Sequence, residues 1–193
     1  MIIGFIKDIS DICLSYLEPI EIIYYNNEWD KFEKEEVCII ATKNGWLDLL
    51  IWARQQNPKA EWDKYICLWA AKYGHLEILK WILQNGCLWD VYAGAHASEN
   101  GHLEILKWVK DNGYSLSYNI STYAAFNGHL EILKWAKLNG YGFNQETCHY
   151  AIMGGRLETL KWLIKNGCPF KNNICQYAAS IGKIEIQNKD RNH

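Results

Sequence analysis

The protein has 193 residues, of which 49% are apolar and only three are proline, so it has core material for one folded architecture and is not a disordered chain. Its formal net charge of −2, with lysines and acids interspersed, leaves no basic stripe for nucleic acid or an anionic membrane surface. Seven cysteines without a CxxC pair are typical of thiols in a reducing compartment. We therefore expect a cytoplasmic protein, with the nucleus as the alternative.

Residues 1–35 form the first predicted element and do not share the pattern of the rest of the chain. The apolar run Met1–Ile6 is too short for a signal peptide or a membrane span. Apolar residues at helical spacing follow it, and Glu18-Pro19 ends that helix. One interpretation is that these residues form a helical cap, which covers the apolar side of the first of the repeated units that follow in the chain. The alternative comes from Asp8–Pro19, which resembles the opening of an F-box and would imply a substrate adaptor for a host ubiquitin ligase.

Residues 36–193 are dominated by an internal repeat. The sequence Gly-His-Leu-Glu-Ile-Leu-Lys-Trp occurs three times and a close variant once more, each 27 residues after the last. The copies, the first diverged and the last curtailed, begin at Gly45, Gly74, Gly101, Gly128, Gly155 and Gly182. We predict five repeats and a truncated sixth. The polar run 187–193 replaces the expected Leu-Lys-Trp and is a cap, a frayed end or the mark of a truncated gene.

Each repeat is predicted to be a helix, a glycine turn and a second helix. Around Gly128, the first helix should span about 120–127 and the second should stop at Asn139-Gly140. So short a pair of helices cannot bury both apolar faces alone, and the repeats must therefore stack on one another. We also expect a mostly buried ladder of second-helix tryptophans, formed by Trp52, Trp81, Trp108, Trp135 and Trp162.

The segment Tyr123–Trp135, Tyr-Ala-Ala-Phe-Asn-Gly-His-Leu-Glu-Ile-Leu-Lys-Trp, and its copies resemble the body of ankyrin repeats over about residues 36–187. The tryptophans and Asn-Gly-Cys endings resemble the short ankyrin-type repeats of giant DNA viruses. The period is below the ankyrin value of about 33, and only His149 stands for the usual Thr-Pro-Leu-His opening. The resemblance implies an all-α, ankyrin-like solenoid without β-hairpin fingers. It also implies a monomer that binds another protein, a host protein if the chain is viral.

Three recurrent residue types suggest chemistry that the fold explains better. The aligned His75, His102 and His129 would lie about 8 to 10 Å apart in successive layers, too far for one zinc ion with ligands at about 2 Å. We expect them to hydrogen-bond the backbone instead. A lysine follows three residues after each of Glu77, Glu104, Glu131 and Glu158, as on a solvated face. With no phosphate loop, HExxH or nucleophile elbow present, we predict no catalytic residue, cofactor or metal.

The cysteines fall into two predicted classes. Those seven residues before the turn glycine should be small, buried thiols, and they are Cys38, Cys67, Cys148 and Cys175. Gly94 and Ser121 occupy the same position in the other repeats. Cys87 and Cys168 should instead lie in exposed turns, without a reactive role.

The candidate partner-binding residues come from the resemblance. In ankyrin proteins the two residues before the turn glycine end the first helix and face the concave groove. The residues at these positions that we predict to bind a partner are Lys72, Tyr73, Glu99, Asn100, Phe126, Asn127 and Met153. Phe126 and Met153 would be the apolar anchors of the partner. The alternative is that both side chains fold back onto the next repeat.

Overall fold

The computed structural model describes residues 34–55, 62 and 65–170. These residues form ten α-helices and no strand, which confirms the all-α, ankyrin-like repeat fold and the absence of β-hairpin fingers within them. They fall into two compact units, one ending at Ile66 and one beginning at Cys67. The predicted N-terminal cap or F-box-like segment up to residue 33 and the curtailed repeat from Gly182 lie outside the described residues.

The first unit contains one helix pair, α1 (Lys34–Asn44) and α2 (Leu47–Gln55), which pack against each other. Their shared core consists of Val37, Cys38, Ala41, Leu49, Leu50 and Ala53. At the end of α2, the Arg54 guanidinium lies 3.9 Å from the centre of the Trp62 ring. Arg54 is almost completely buried, and this cation–π contact gives its charge a favourable partner.

Four further helix pairs follow, each joined by a turn of two or three residues. Their bounds are α3 (Ile66–Tyr73), α4 (Leu76–Gln84), α5 (Val91–Glu99), α6 (Leu103–Asp111), α7 (Ile120–Asn127), α8 (Leu130–Leu138), α9 (Gln145–Met153) and α10 (Leu157–Lys165). Helix α7 has the predicted bounds. The Asn-Gly stops are also confirmed, because each asparagine side-chain amide donates to the carbonyl of the tryptophan four residues earlier, at 2.8 to 2.9 Å.

The second helices bury a narrow aliphatic stripe, which in α4 consists of Ile78, Leu79, Ile82 and Leu83. The ladder tryptophans are mostly covered, as predicted, but Trp81 and the equivalent tryptophans stay partly exposed and do not belong to the fully buried core. Successive residues of a helix are rotated by about 100°, so Trp81, one residue before Ile82, lies beside the stripe and not in it.

Aromatic neighbours hold the tryptophans of the later repeats at the edge of the core. Trp135 stacks on Tyr141 with ring centres 5.7 Å apart, and Trp108 stacks on Tyr114 at 6.1 Å. The tyrosine in each case follows the Asn-Gly stop of the same repeat. These tryptophans therefore stabilise the end of the second helix and do not fill the interior.

The first helices bury small side chains, because they pack against one another from repeat to repeat. Helix α7 contacts both α5 and α9. The small buried residues of α5 and α7 are Ala93, Gly94, Ala95, Ala97, Ser98, Ser121, Ala124 and Ala125. A Cβ atom on Gly94 would lie 2.4 Å from Leu116 Cδ2, which is consistent with the predicted need for a small residue at this position.

Candidate functional site

The predicted binding residues lie where the first helices end. Helices α3, α5, α7 and α9 end at Tyr73, Glu99, Asn127 and Met153, and Asn100 directly follows α5. Their predicted position in the repeat is therefore correct. We call this set, together with Lys72 and Phe126, the helix-end surface.

A side chain from each following repeat binds the backbone of this surface. His102 Nε2 donates a hydrogen bond to the carbonyl of Lys72, and His129 Nε2 donates to the carbonyl of Glu99, each at 3.0 Å. The His102 ring also covers the preceding turn, since a Cβ atom on Gly74 would lie 2.5 Å from its Cε1 atom. The predicted structural role of these two histidines is confirmed, and their acceptors belong to the previous repeat.

Arg156 takes the place of the histidine in the next repeat. Its Nε atom donates to the carbonyl of Phe126 at 3.2 Å, and its aliphatic stem lies over Gly128. In the same way Asn127 Nδ2 donates to the carbonyl of Glu99 at 2.7 Å. Three positions of the helix-end surface, Lys72, Glu99 and Phe126, thus hold the next repeat through their backbone oxygens.

The apolar side chains of the surface remain accessible. Tyr73 is 44% exposed, Phe126 36% and Met153 58%. Phe126 partly folds back, because its ring makes an edge contact with the Tyr150 ring of the next repeat at 6.2 Å between centres. Met153 is more than half exposed, so Phe126 and Met153 still present apolar surface to solvent when the repeats are stacked.

The polar side chains of the surface are positioned by their own helices. The Lys72 ammonium lies 5.6 Å from the Trp69 ring centre and 5.9 Å from that of Tyr73. The Glu99 carboxylate lies 3.0 Å from His96 Nδ1, and Asn100 Nδ2 donates to the His96 carbonyl at 2.8 Å. The sequence did not reveal that the amides of Asn100 and Asn127 cap or join helices. These two asparagines therefore have structural contacts whether or not they bind a partner.

The opposite charges of the second helices follow the predicted pattern of a solvated face. Each lysine lies 2.6 to 2.7 Å from the glutamate one turn earlier, and the glutamates are exposed.

Among residues 34–55, 62 and 65–170, no three histidine, cysteine or acidic side chains form a group able to hold a metal ion. In the same residues, no helix is long and apolar enough to cross a bilayer.

Sequence reasoning missed a set of exposed apolar side chains outside the helix-end surface. The most exposed of them are Leu88, Tyr92, Tyr118 and Leu138. Leu88 and Tyr118 lie in the loops that join one repeat to the next, where ankyrin proteins carry β-hairpin fingers and these loops have none, as predicted. The sequence feature that could have identified the loop residues is an apolar residue that lies outside the helical period, soon after an Asn-Gly stop.

The prediction for the turn cysteines needs correction. Cys168 is buried, with 2% of its surface exposed, and Cys87 is half-buried rather than exposed. The reason is that the residue after the Asn-Gly stop folds back: the Cys168 amide donates to the carbonyl of Leu163, closing the helix end.

The helix, glycine turn and helix of α3 and α4 lie at the centre of a match to a known family. Residues 66–94 match the ankyrin repeat. Ankyrin repeats are generally protein–protein interaction modules. No curated protein has a significant sequence match to the chain. The ankyrin resemblance is thus supported for one repeat by sequence and for its neighbours by the recurring helix pairs.

Proposed function

We propose that the protein is an interaction scaffold that binds a partner protein through the helix-end surface, on the concave face of its ankyrin-like array. The observation that carries this proposal is the separation of tasks at these positions. The backbone oxygens of Lys72, Glu99 and Phe126 accept the hydrogen bonds that join the repeats. The side chains at these positions take no part in those hydrogen bonds and are partly exposed to a partner.

The chemistry of the surface changes along the array and defines the partner we expect. Lys72 provides a cation beside an exposed tyrosine ring, and Glu99 provides an acid whose carboxylate already contacts His96. Phe126 and Met153 provide adjacent apolar side chains one repeat apart. A partner segment with an apolar residue flanked by an acidic group would complement both regions.

Alanine at both Phe126 and Met153 tests this proposal. Full-length wild-type and double-variant proteins are immobilised and incubated with cell lysate, and the captured proteins are quantified by mass spectrometry. Leu138→Ala is the matched control, because Leu138 is 86% exposed but lies outside the helix-end surface. Partners should be lost from the double variant alone, with affinity falling roughly 30-fold per anchor if each is a hot spot.

Two results would contradict the proposal. One is capture of the same proteins by the double variant and the wild type. The other is loss of binding accompanied by a large fall in the melting temperature, which would show that Phe126 and Met153 are core residues. The resemblance to giant-virus repeats makes a host protein the first partner to seek.

A substrate adaptor for a ubiquitin ligase is the second candidate, and it rests on the F-box-like sequence Asp8–Pro19. The full chain should then bind the purified linker subunit of the ligase, and alanine at Leu17 and Pro19 should abolish that binding. If residues 1–35 are a cap instead, their deletion should lower the melting temperature of the array, and the full chain should not bind the linker subunit.

A further inference from the structure

Two positions of the repeat vary together in the four repeats whose turn glycines are Gly74, Gly101, Gly128 and Gly155. One lies on the first helix, seven residues before the turn glycine, and the other directly follows the Asn-Gly stop of the second helix. The pairs are Cys67 and Cys87, Gly94 and Tyr114, Ser121 and Tyr141, and Cys148 and Cys168. In these four repeats cysteine occupies both positions or neither. Simple filling of space does not explain this pairing, because glycine and serine also fit on the first helix.

In the first cysteine pair the two sulfur atoms are in direct contact. Cys67 Sγ lies 3.0 Å from Cys87 Sγ, and both are thiols that also contact the carbonyl of Leu88, at 3.4 and 3.6 Å. A covalent bond between two sulfurs is about 2.0 Å long, so closing this pair requires a movement of only about 1 Å.

In the second pair cysteine occupies the same two positions of the repeat, and both residues are buried, with Cys168 Sγ 3.4 Å from the carbonyl oxygen of Asn144. The interaction between the two thiols raises the pKa of Cys148 and lowers that of Cys168. Burial raises the pKa of Cys148 further. Cys168 is therefore the thiol that ionises first, and the thiolate is the form that attacks a disulfide.

We propose that Cys67 with Cys87 and Cys148 with Cys168 are two reversible oxidation sites, each closed to an intrarepeat disulfide by a small disulfide such as oxidised glutathione. The thiolate of one cysteine attacks the small disulfide, breaks its S–S bond and releases one small thiol. The second cysteine then loses its proton and attacks the protein sulfur of the mixed disulfide, which releases the second small thiol. Two protein thiols are oxidised, and one disulfide is reduced to two thiols that take up the two protons.

The two sites differ in accessibility, which orders their reactions. Cys87 is half-buried, whereas both sulfurs of the second pair belong to buried residues. The site in the Gly74 repeat should therefore close first as the ratio of oxidised to reduced glutathione rises.

Peptide mapping of the full-length protein at graded glutathione ratios tests the proposal. After alkylation and trypsin digestion, peptide 65–72 should be joined to 81–107, and at later times 138–156 to 166–171. Each joined product should be lighter than its two peptides by two hydrogen atoms, and dithiothreitol should reverse it. Each bridge should raise the melting midpoint by roughly 5 °C or more, because it constrains the unfolded chain.

Matched variants separate pairing from general thiol oxidation. Cys87→Ser should abolish the first bridge and leave the second. The double change Ser121→Cys and Tyr141→Cys should create a third bridge in a repeat that has none. A lasting mixed disulfide on Cys87, bridges in other combinations, or all four cysteines remaining alkylated after oxidation would each overturn the proposal.

Discussion

In helix α6 the fully buried side chains are Ile105, Leu106 and Val109, whereas in its neighbour α5 they are Ala93, Gly94, Ala95, Ala97 and Ser98. Both helices belong to one repeat, but they need opposite kinds of side chain. The first helices approach each other between repeats and therefore require small residues, while the second helices supply the aliphatic volume. Removing atoms should consequently damage the second helices, and adding atoms should damage the first.

The largest effect should come from a cavity in a second helix. Leu106 is fully buried, so Leu106→Ala should lower the free energy of unfolding by about 2 to 5 kcal/mol. Trp108→Ala is the informative control, since that larger side chain is only half-buried and stacks on Tyr114. We expect it to cost about 1 to 2 kcal/mol in urea unfolding. A greater loss of unfolding free energy for Trp108→Ala than for Leu106→Ala would show that the tryptophan ladder belongs to the core.

The next largest effect should come from one added methyl group at the end of a first helix. A Cβ atom on Gly154 would lie 1.8 Å from the backbone oxygen of Phe126, so Gly154→Ala must push two repeats apart. We expect a loss of about 1 to 3 kcal/mol. Gly142→Ala is the matched control, because no atom lies within 4 Å of its Cβ position. Equal melting curves for the two variants would contradict the close approach of the first helices.

A third effect concerns the side chain that joins the layers. His102→Ala leaves the Lys72 carbonyl without this donor and should cost about 1 to 2 kcal/mol at pH 8, whereas His102→Arg should cost less because Arg156 fills the equivalent place. Burial lowers the pKa of His102 below its usual 6.5. The imidazole of His102 therefore binds a proton more readily in the unfolded chain than in the folded protein.

The pH dependence of His102 follows from that direction. The stability that His102 contributes is complete above about pH 6.5. It is lost as the pH falls from there through the lowered pKa of His102 in the folded protein. Urea unfolding at pH 8 and at successively lower pH should show a smaller decrease for His102→Arg than for the wild type. An identical decrease would mean that His102 does not contribute.

The smallest effect should be found on the solvated face of the second helices. Glu104 pairs with Lys107 at 2.7 Å, but its side chain is 73% exposed. Glu104→Ala should therefore change the free energy of unfolding by less than about 0.5 kcal/mol. A larger change in thermal melts, persisting at high salt, would show that this face is covered by another part of the molecule.

Much of the framework could be predicted because it depends on local rules. The bounds of α7 and the stops at Asn139-Gly140 follow from helical period and turn chemistry. Gly128 has the left-handed φ of +82° that ends the helix there. His102 and His129 were also assigned correctly to backbone hydrogen bonds, although the sequence could not show that their acceptors lie in the previous repeat.

The errors arose where a residue's environment depends on packing between elements. Trp108 shares the helical spacing of its aliphatic neighbours, and this spacing does not show that the tryptophan lies at the edge of the core and stays partly exposed. Cys168 looked like an exposed turn residue until the helix end folded it inward. Its contact with Cys148 joins positions 20 residues apart, which helical periodicity cannot reveal.

The bonds that join the repeats end on carbonyl oxygens, and every amino acid possesses one. A mutation of Lys72, Glu99 or Phe126 that keeps the helix therefore preserves the acceptor on which the next repeat depends. Such an array can change its recognition specificity by single substitutions during evolution while its fold stays constant. The same property makes these three codons suitable positions for a randomised library of engineered binders.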